Sequence, residues 1–179
     1  MDWIVVGLLA IGVLVAVWKF LGWQPLGRNQ RREDFEHGIK SLLILKENGG
    51  SLHVQQRGAD LAFDFLRAEG GDDEALLVLR VPRAPWSEEH AKELCDVFES
   101  HRIEVRFVQE PGSEMLAEVR IPVENIWEEW CGAKGARAAH LLLDTLAVPR
   151  DARFDLSLHG TPSKRGLTRE RQLRQEGRA

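Results

Sequence analysis

The pattern of hydrophobic and polar positions begins with an unbroken apolar run over residues 3–23, which reads WIVVGLLAIGVLVAVWKFLGW. No charged residue lies between Trp3 and Trp18. At a helical rise of about 1.5 Å per residue the run spans roughly 31 Å, which matches the ~30 Å hydrocarbon thickness of a bilayer. The pattern therefore predicts one transmembrane helix within residues 1–23.

Residues at both ends of this run favour the membrane interface. Trp3 lies at one end, Trp18 and Trp23 lie at the other, and Lys19 can extend its ammonium group to the headgroups. The apolar run is longer than the h-region of a cleaved signal peptide, about 7–15 residues, and bulky residues occupy the positions of a cleavage site. A retained signal anchor is therefore the favoured interpretation.

Basic residues after the run predict its orientation. Arg28, Arg31 and Arg32 follow it closely, whereas Asp2 is the only charged residue before it. The flank that is rich in Lys and Arg stays in the cytoplasm. The expected localisation is therefore a bacterial-type inner membrane, crossed once, with the C-terminal domain in the cytoplasm.

Periodicity changes after residue 32 and predicts an α+β domain. Residues 33–48 have helical spacing, and residues 52–56 and 60–67 alternate as a β-hairpin. Two β-α-β units then follow, the second ending in a strand over residues 153–159. Such units in series give the ferredoxin-like order β-α-β-β-α-β. The full prediction is strand 75–81, helix 87–100, strand 102–109, strand 115–121, a helix ending near residue 146, and strand 153–159.

The expected fold is thus a transmembrane helix followed by a ferredoxin-like domain with an extra N-terminal hairpin. The hairpin fits this fold poorly, because its short turn places it beside strand 75–81, both edges of which the fold already uses. The hairpin either extends the sheet with an altered strand order or packs elsewhere.

Charge divides the chain into an acidic globule with basic flanks. The net charge is −4, but residues 33–162 hold 25 Asp and Glu against 14 Lys and Arg, whereas residues 163–179 hold six cations against two carboxylates. An acidic globule repels nucleic acid and anionic lipid, so neither is expected to bind the folded domain. The predicted organisation is a signal anchor (1–23), a juxtamembrane linker and helix (24–50), a cytosolic α+β domain (51–162) and a basic disordered tail (163–179).

Candidate chemistry adds little to this pattern. Cys95 and Cys131 have no partner at metal or redox spacing, and no phosphate loop, nucleophile elbow or dinucleotide motif occurs. The segment 132–135, Gly-Ala-Lys-Gly, superficially suggests a phosphate loop, but it fits better as a break at the start of a helix. The sequence therefore predicts no metal, no cofactor and no catalytic residue, and it favours a protein that is not an enzyme.

Tryptophans provide the clearest candidate for a binding surface. Trp127 and Trp130 lie three residues apart beside acidic residues, and Trp86 precedes a predicted helix. Tryptophan is common in protein interfaces because it supplies a large apolar area with one hydrogen-bond donor. These residues either close the ends of the core or, where exposed, contact a protein partner.

The expected function is that of a membrane-anchored accessory or scaffold protein whose cytosolic domain binds a protein partner. The mixed-charge face of the sheet is the alternative contact surface, and self-association stays open. Two other functions also stay open. The basic tail could bind nucleic acid or anionic lipid, or a membrane-tethered enzyme could assemble its site from distant residues.

Overall fold

Seven strands and four helices make up the part of the chain described by the computed structural model, which covers residues 24–71, 73–82, 88–107 and 115–175. A short 3-10 turn, Arg32–Asp34, precedes the first helix. The strands are β1 Gln24–Gln30, β2 Ser51–Gln56, β3 Ala62–Glu69, β4 Ala75–Pro82, β5 Glu104–Phe107, β6 Met115–Val123 and β7 Phe154–His159. The helices are α1 Phe35–Leu45, α2 Glu88–Ser100, α3 Ala133–Thr145 and α4 Lys164–Gln175.

All seven strands form one antiparallel sheet in the order β1-β7-β2-β3-β4-β6-β5. The prediction of a ferredoxin-like topology is therefore wrong. In that topology β7 pairs with β4, whereas here the β2–β3 hairpin lies between them. The turns from β2 to β3 and from β3 to β4 are short, so β3 pairs with β4 and takes the edge that β7 would use.

The hairpin can enter the sheet without reversing any other strand. Two antiparallel strands restore the original direction, so β7 stays antiparallel to its new neighbour β2 just as it would be to β4. The hairpin therefore extends the sheet with an altered strand order, which is the first of the two predicted alternatives.

No helix within the described residues is long and apolar enough to cross a membrane. The described residues form a sheet-and-helix domain, and they give the membrane assignment no support. The predicted span, with Trp3, Trp18, Lys19 and Trp23 at its ends, lies outside the described residues.

Residues 24–30, which the sequence assigns to a linker, form the edge strand β1. Its pairing with β7 is irregular, with register shifts on both sides of Gly27. Pro25 and Gly27 suit this position, because proline and glycine are tolerated at sheet edges and bulges. Their presence is also why the pattern does not predict a strand.

The core lies between one face of the sheet and the helices. In α1 the buried residues recur at helical spacing. The alternation expected for residues 61, 63 and 65, which lie at and just before the start of β3, is confirmed, since all three side chains are buried. Both patterns bury apolar area, the main favourable term in folding. The fully buried residues of α1 are Phe35, Ile39, Leu42 and Leu43.

Two glycines let α3 approach its neighbours closely. A Cβ on Gly132 would lie 2.4 Å from the carbonyl oxygen of Glu36, and one on Gly135 would lie 2.7 Å from Leu77. Gly132 is the N-cap residue of α3. The segment 132–135 is thus a helix start that packs tightly against α1 and the sheet.

The tail also differs from its prediction, because residues 164–175 form α4 rather than a disordered segment. Ser163 caps this helix by accepting a hydrogen bond from the N–H of Gly166 (3.2 Å). Gly166 is buried so closely against α1 that a Cβ would lie 1.7 Å from the carbonyl oxygen of Ile44. Packing of this kind stabilises helices whose own composition is unfavourable.

Candidate functional site

Trp127 is fixed by contacts with two segments that are distant in sequence. Its indole N–H donates to Asp73 Oδ1 (2.8 Å), and the guanidinium carbon of Arg165 lies 5.5 Å from its ring centroid. Arg165 Nη2 donates to the same Asp73 oxygen (3.1 Å). We call Trp127, Asp73 and Arg165 the Trp127 cluster. The cluster joins the loop before α3 to the first turn of α4.

Trp130 lies in the same loop but has a different environment. Its side chain is 69% exposed. Among the residues that the structure describes, it is the one large hydrophobic side chain that is exposed. Trp127, in contrast, is half-buried and packs against the core. Trp127 therefore packs against the core, whereas the side chain of Trp130 is accessible.

The other predicted site residues lie apart from this loop. Trp86 is outside the described residues, as are the anchor residues. Arg28 and Arg31 are exposed, whereas Arg32 is buried and donates to Asp144 Oδ1 (2.6 Å). Arg32 is one of the three arginines from which the membrane orientation was predicted. Its positive charge is paired with Asp144 inside the folded domain.

Two clefts adjoin the Trp127 cluster. Cleft A has a volume of about 530 Å³ and includes Arg67, Ser163 and Lys164 in its lining. Cleft B has a volume of about 740 Å³ and is lined on one side by Asp73 and Glu124. Trp127, Lys164 and Arg165 contribute to both clefts. The first turn of α4 therefore separates an electropositive cleft from one that carries two carboxylates.

Arg67 is a functional candidate that the sequence argument missed. It is 6% exposed, and its Nη1 donates to the carbonyl oxygens of Leu43 and, at 2.7 Å, of Lys46. Burial lowers the pKa of Arg67, and the nearby charge of Glu47 opposes that shift. Its burial could have been predicted from the alternation along β3, since Arg67 shares the buried face of the strand with Phe63 and Phe65.

Cleft A is built by three backbone segments that meet beside Arg67. The N–H of Gly49 donates to the carbonyl of Arg67 (2.7 Å), and the N–H of Ser163 donates to the carbonyl of Leu45 (2.8 Å). The N–H of Glu47 donates to the carbonyl of Thr161 (3.0 Å). The turn after α1, the strand β3 and the segment before α4 are thereby held together.

The open face of the sheet carries a second group of polar residues. Cross-strand pairing places His53 opposite Asp64 on one side and opposite Ser157 on the other. His53 Nδ1 lies 2.8 Å from Asp64 Oδ1, and Ser157 Oγ lies 3.2 Å from His159 Nε2. The hydrogen bond with Asp64 raises the pKa of His53, whereas burial lowers the pKa of His159.

This histidine–carboxylate pair gives a direct test of the local electrostatics. We expect Asp64→Asn to lower the pKa of His53 toward its ordinary value, because the negative partner that favours the imidazolium is lost. In the wild type the pair contributes stability that is complete below the unfolded-state pKa of His53, about 6.5. That contribution is lost as the pH rises through the higher folded-state pKa. NMR titration of the His53 ring protons measures the shift.

The control for this titration is Asp151→Asn, an exposed carboxylate that has no contact with His53 among the described residues. It should leave the His53 titration unchanged. Equal His53 pKa values in the wild type and in Asp64→Asn would show that the hydrogen bond does not hold in solution.

Among the described residues, neither the histidines nor the cysteines form a metal centre. Within the described residues no group of three or more His, Cys, Asp or Glu side chains is placed to hold a metal ion. Cys131 is buried and Cys95 is partly buried, and burial raises the pKa of both thiols. A raised thiol pKa disfavours the reactive thiolate. The two thiols are therefore poor candidates for nucleophiles.

Comparison of the chain with protein-family models, with curated proteins and with solved structures finds no match. The functional argument therefore depends on the geometry of the described residues alone.

Proposed function

We propose that this chain is an accessory protein whose α+β domain binds a protein partner through the loop that carries Trp127 and Trp130. The observation that supports the proposal is the 69% exposure of Trp130 in a loop that the Trp127 cluster holds in place. An exposed tryptophan on a rigid support costs little conformational entropy on binding, and tryptophan is enriched among the residues that dominate interface energies.

The alternative functions receive less support from the contacts. The cations Lys164 and Arg165 of the basic tail line the two clefts beside Trp127, and Arg165 is paired with Asp73. These contacts favour a role for the two cations beside the Trp127 loop over a role in an unstructured tail that binds nucleic acid or lipid. For an enzyme, cleft A offers one carboxylate, Glu47, and contains no histidine or cysteine among its described lining residues. Binding is the simpler use of such a surface.

Localisation stays a separate prediction, based on residues 3–23 and the basic residues Arg28 and Arg31. If that prediction holds, confinement at a membrane would raise the effective concentration of the domain near a membrane-bound partner. Partner binding by the Trp130 loop does not depend on this outcome.

The test is Trp130→Ala in the full chain, compared with Glu128→Gln in the same loop. We expect Trp130→Ala to weaken binding of a co-purifying partner by about thirtyfold, which corresponds to a hot-spot contribution of about 2 kcal/mol. The free energy of unfolding should change by no more than about 0.5 kcal/mol, as is typical of surface substitutions. Quantitative co-purification followed by titration with the isolated partner measures the change.

Glu128→Gln should change the affinity for the same partner by less than about twofold, because the substitution keeps the size of an exposed side chain and exposed charges contribute little to interface energies. A partner that binds Trp130→Ala as tightly as the wild type would rule out the loop as the contact surface.

A further inference from the structure

We infer that cleft A binds a carboxylate of an acidic segment of the protein partner. This inference rests on the proposed function and specifies the chemistry of the ligand. The supporting features are a buried arginine, the N-terminus of α4 and a local excess of positive charge, which converge in one cleft of about 530 Å³.

The charge of cleft A is opposite to that of the domain around it. Arg67, Lys164 and Arg165 are cationic, and Glu47 is the single carboxylate among the described lining residues. Residues 33–162 carry a large excess of negative charge. A concentrated positive site in an acidic domain attracts an anionic ligand locally while the remaining surface repels nonspecific anions.

Arg67 provides the observation that points most directly to a ligand. Its side chain lines cleft A, is more than nine-tenths buried, and has an Nε–H with no hydrogen-bond acceptor among the described residues. An unsatisfied buried N–H group is energetically costly. The planar guanidinium fork matches the two oxygens of a carboxylate, and Arg67 contributes its positive charge to the lining of cleft A.

The first turn of α4 adds a second anion-binding feature. α4 has 12 residues, and its N-terminus begins at the cleft with Ser163 and Lys164. The N–H groups of a first helical turn have no intrahelical acceptor and point toward the helix start, where the helix dipole also favours negative charge. Ser163 satisfies the N–H of Gly166, and the cap fixes the direction of the others.

A carboxylate suits the charge balance of the cleft better than a phosphate. Asp73 already pairs with Arg165, and Glu47 offsets part of the remaining positive charge. The residual excess is that of one cation, which a monoanionic carboxylate matches and a phosphate dianion exceeds. Ile44, Ile126 and Trp127 also line the cleft, and they offer apolar contact to the chain that carries the carboxylate.

The test uses the full chain and a fluorescein-labelled hexaglutamate peptide with blocked ends. We expect saturable binding by fluorescence anisotropy, which Lys164→Glu weakens about tenfold because it reverses a charge in the cleft. A glutamate in the first turn is favourable for the helix dipole, so this variant should keep α4. Arg67 is left unchanged because it also holds two carbonyl oxygens of the turn after α1.

Two further variants separate the cleft from general electrostatics. Lys92→Glu makes the same charge change at an exposed position on α2, and it should alter the affinity by less than twofold. Glu47→Gln removes the opposing carboxylate, so it should strengthen binding about threefold. Equal losses for Lys164→Glu and Lys92→Glu, or no saturable binding by the wild type, would overturn the inference.

A competition experiment distinguishes the two anion chemistries. Acetate and inorganic phosphate are each titrated into the peptide complex, with NMR of the Gly70, Gly71 and Gly166 amides as the second measurement. We expect acetate to shift these amides and phosphate to compete no more strongly than acetate. Phosphate that competes more than tenfold better would replace the carboxylate assignment with a phosphate site. Loss of partner binding in Trp130→Ala, together with no peptide binding, would leave the proposed function standing and remove only this inference.

Discussion

Replacing Phe35 by alanine should lower the free energy of unfolding by about 4 kcal/mol, which is within the range measured for large-to-small substitutions of buried aromatics. Phe35 is fully buried, and its ring centroid lies 5.0 Å from that of Phe154 and 6.1 Å from that of Phe63, both in edge-to-face geometry. The substitution removes these contacts and leaves a cavity between α1 and two strands. Urea denaturation followed by circular dichroism measures the change.

Phe35→Leu is the matched control, because it retains most of the apolar volume. We expect it to cost about 1 kcal/mol. A loss below 1.5 kcal/mol for Phe35→Ala, on the same scale as this control, would mean that α1 is not packed on the sheet as described.

Arg32→Ala should lower the free energy of unfolding by about 3 kcal/mol, because a buried charged donor to several acceptors is lost. Arg32 donates to Asp144 at the end of α3 and to the carbonyl oxygens of Val148 and, at 3.5 Å, of Pro149. Asp144 is 56% exposed. Most of the expected loss therefore comes from the carbonyl oxygens and from packing rather than from the ion pair.

The neighbouring residue Arg31 supplies the control for this substitution. Its side chain is exposed, and the described hydrogen bond with Asp34 Oδ2 uses its backbone N–H. We therefore expect Arg31→Ala to change the free energy of unfolding by less than about 0.5 kcal/mol. Equal effects of the two substitutions would show that Arg32 does not hold α3 to the start of α1. Arg32→Lys should recover only part of the loss, since an ammonium group cannot reproduce the fork.

Local patterns predicted the elements of this domain well. The helix expected over residues 87–100 is α2 Glu88–Ser100, and the strand expected over residues 115–121 is β6 Met115–Val123. Side-chain periodicity is set by the geometry of a single helix or strand. The periodicity can therefore be recognised in the sequence before the packing partner of that helix or strand is known.

The candidate site was predicted only in part. The loop with Trp127 and Trp130 was identified as a tryptophan pair, but the different roles of the two residues depend on Asp73, which lies 54 positions before Trp127. The role of Arg67 depends on carbonyl oxygens of the segment 43–46. Such contacts join distant residues and leave no periodic signal.

The sequence by itself determined the helical and strand segments between residues 33 and 159, the apolar faces that form the core, and the acidic character of the domain. The tertiary structure decided the strand order, because the choice between β3 and β7 as the neighbour of β4 depends on turn length and competition for one sheet edge. It also decided that the basic tail becomes α4, since the close approach of Gly166 to α1 supplies stabilisation that the composition of the tail does not. Cleft A exists for the same reason, because three segments that are separate in sequence meet there only in the folded chain.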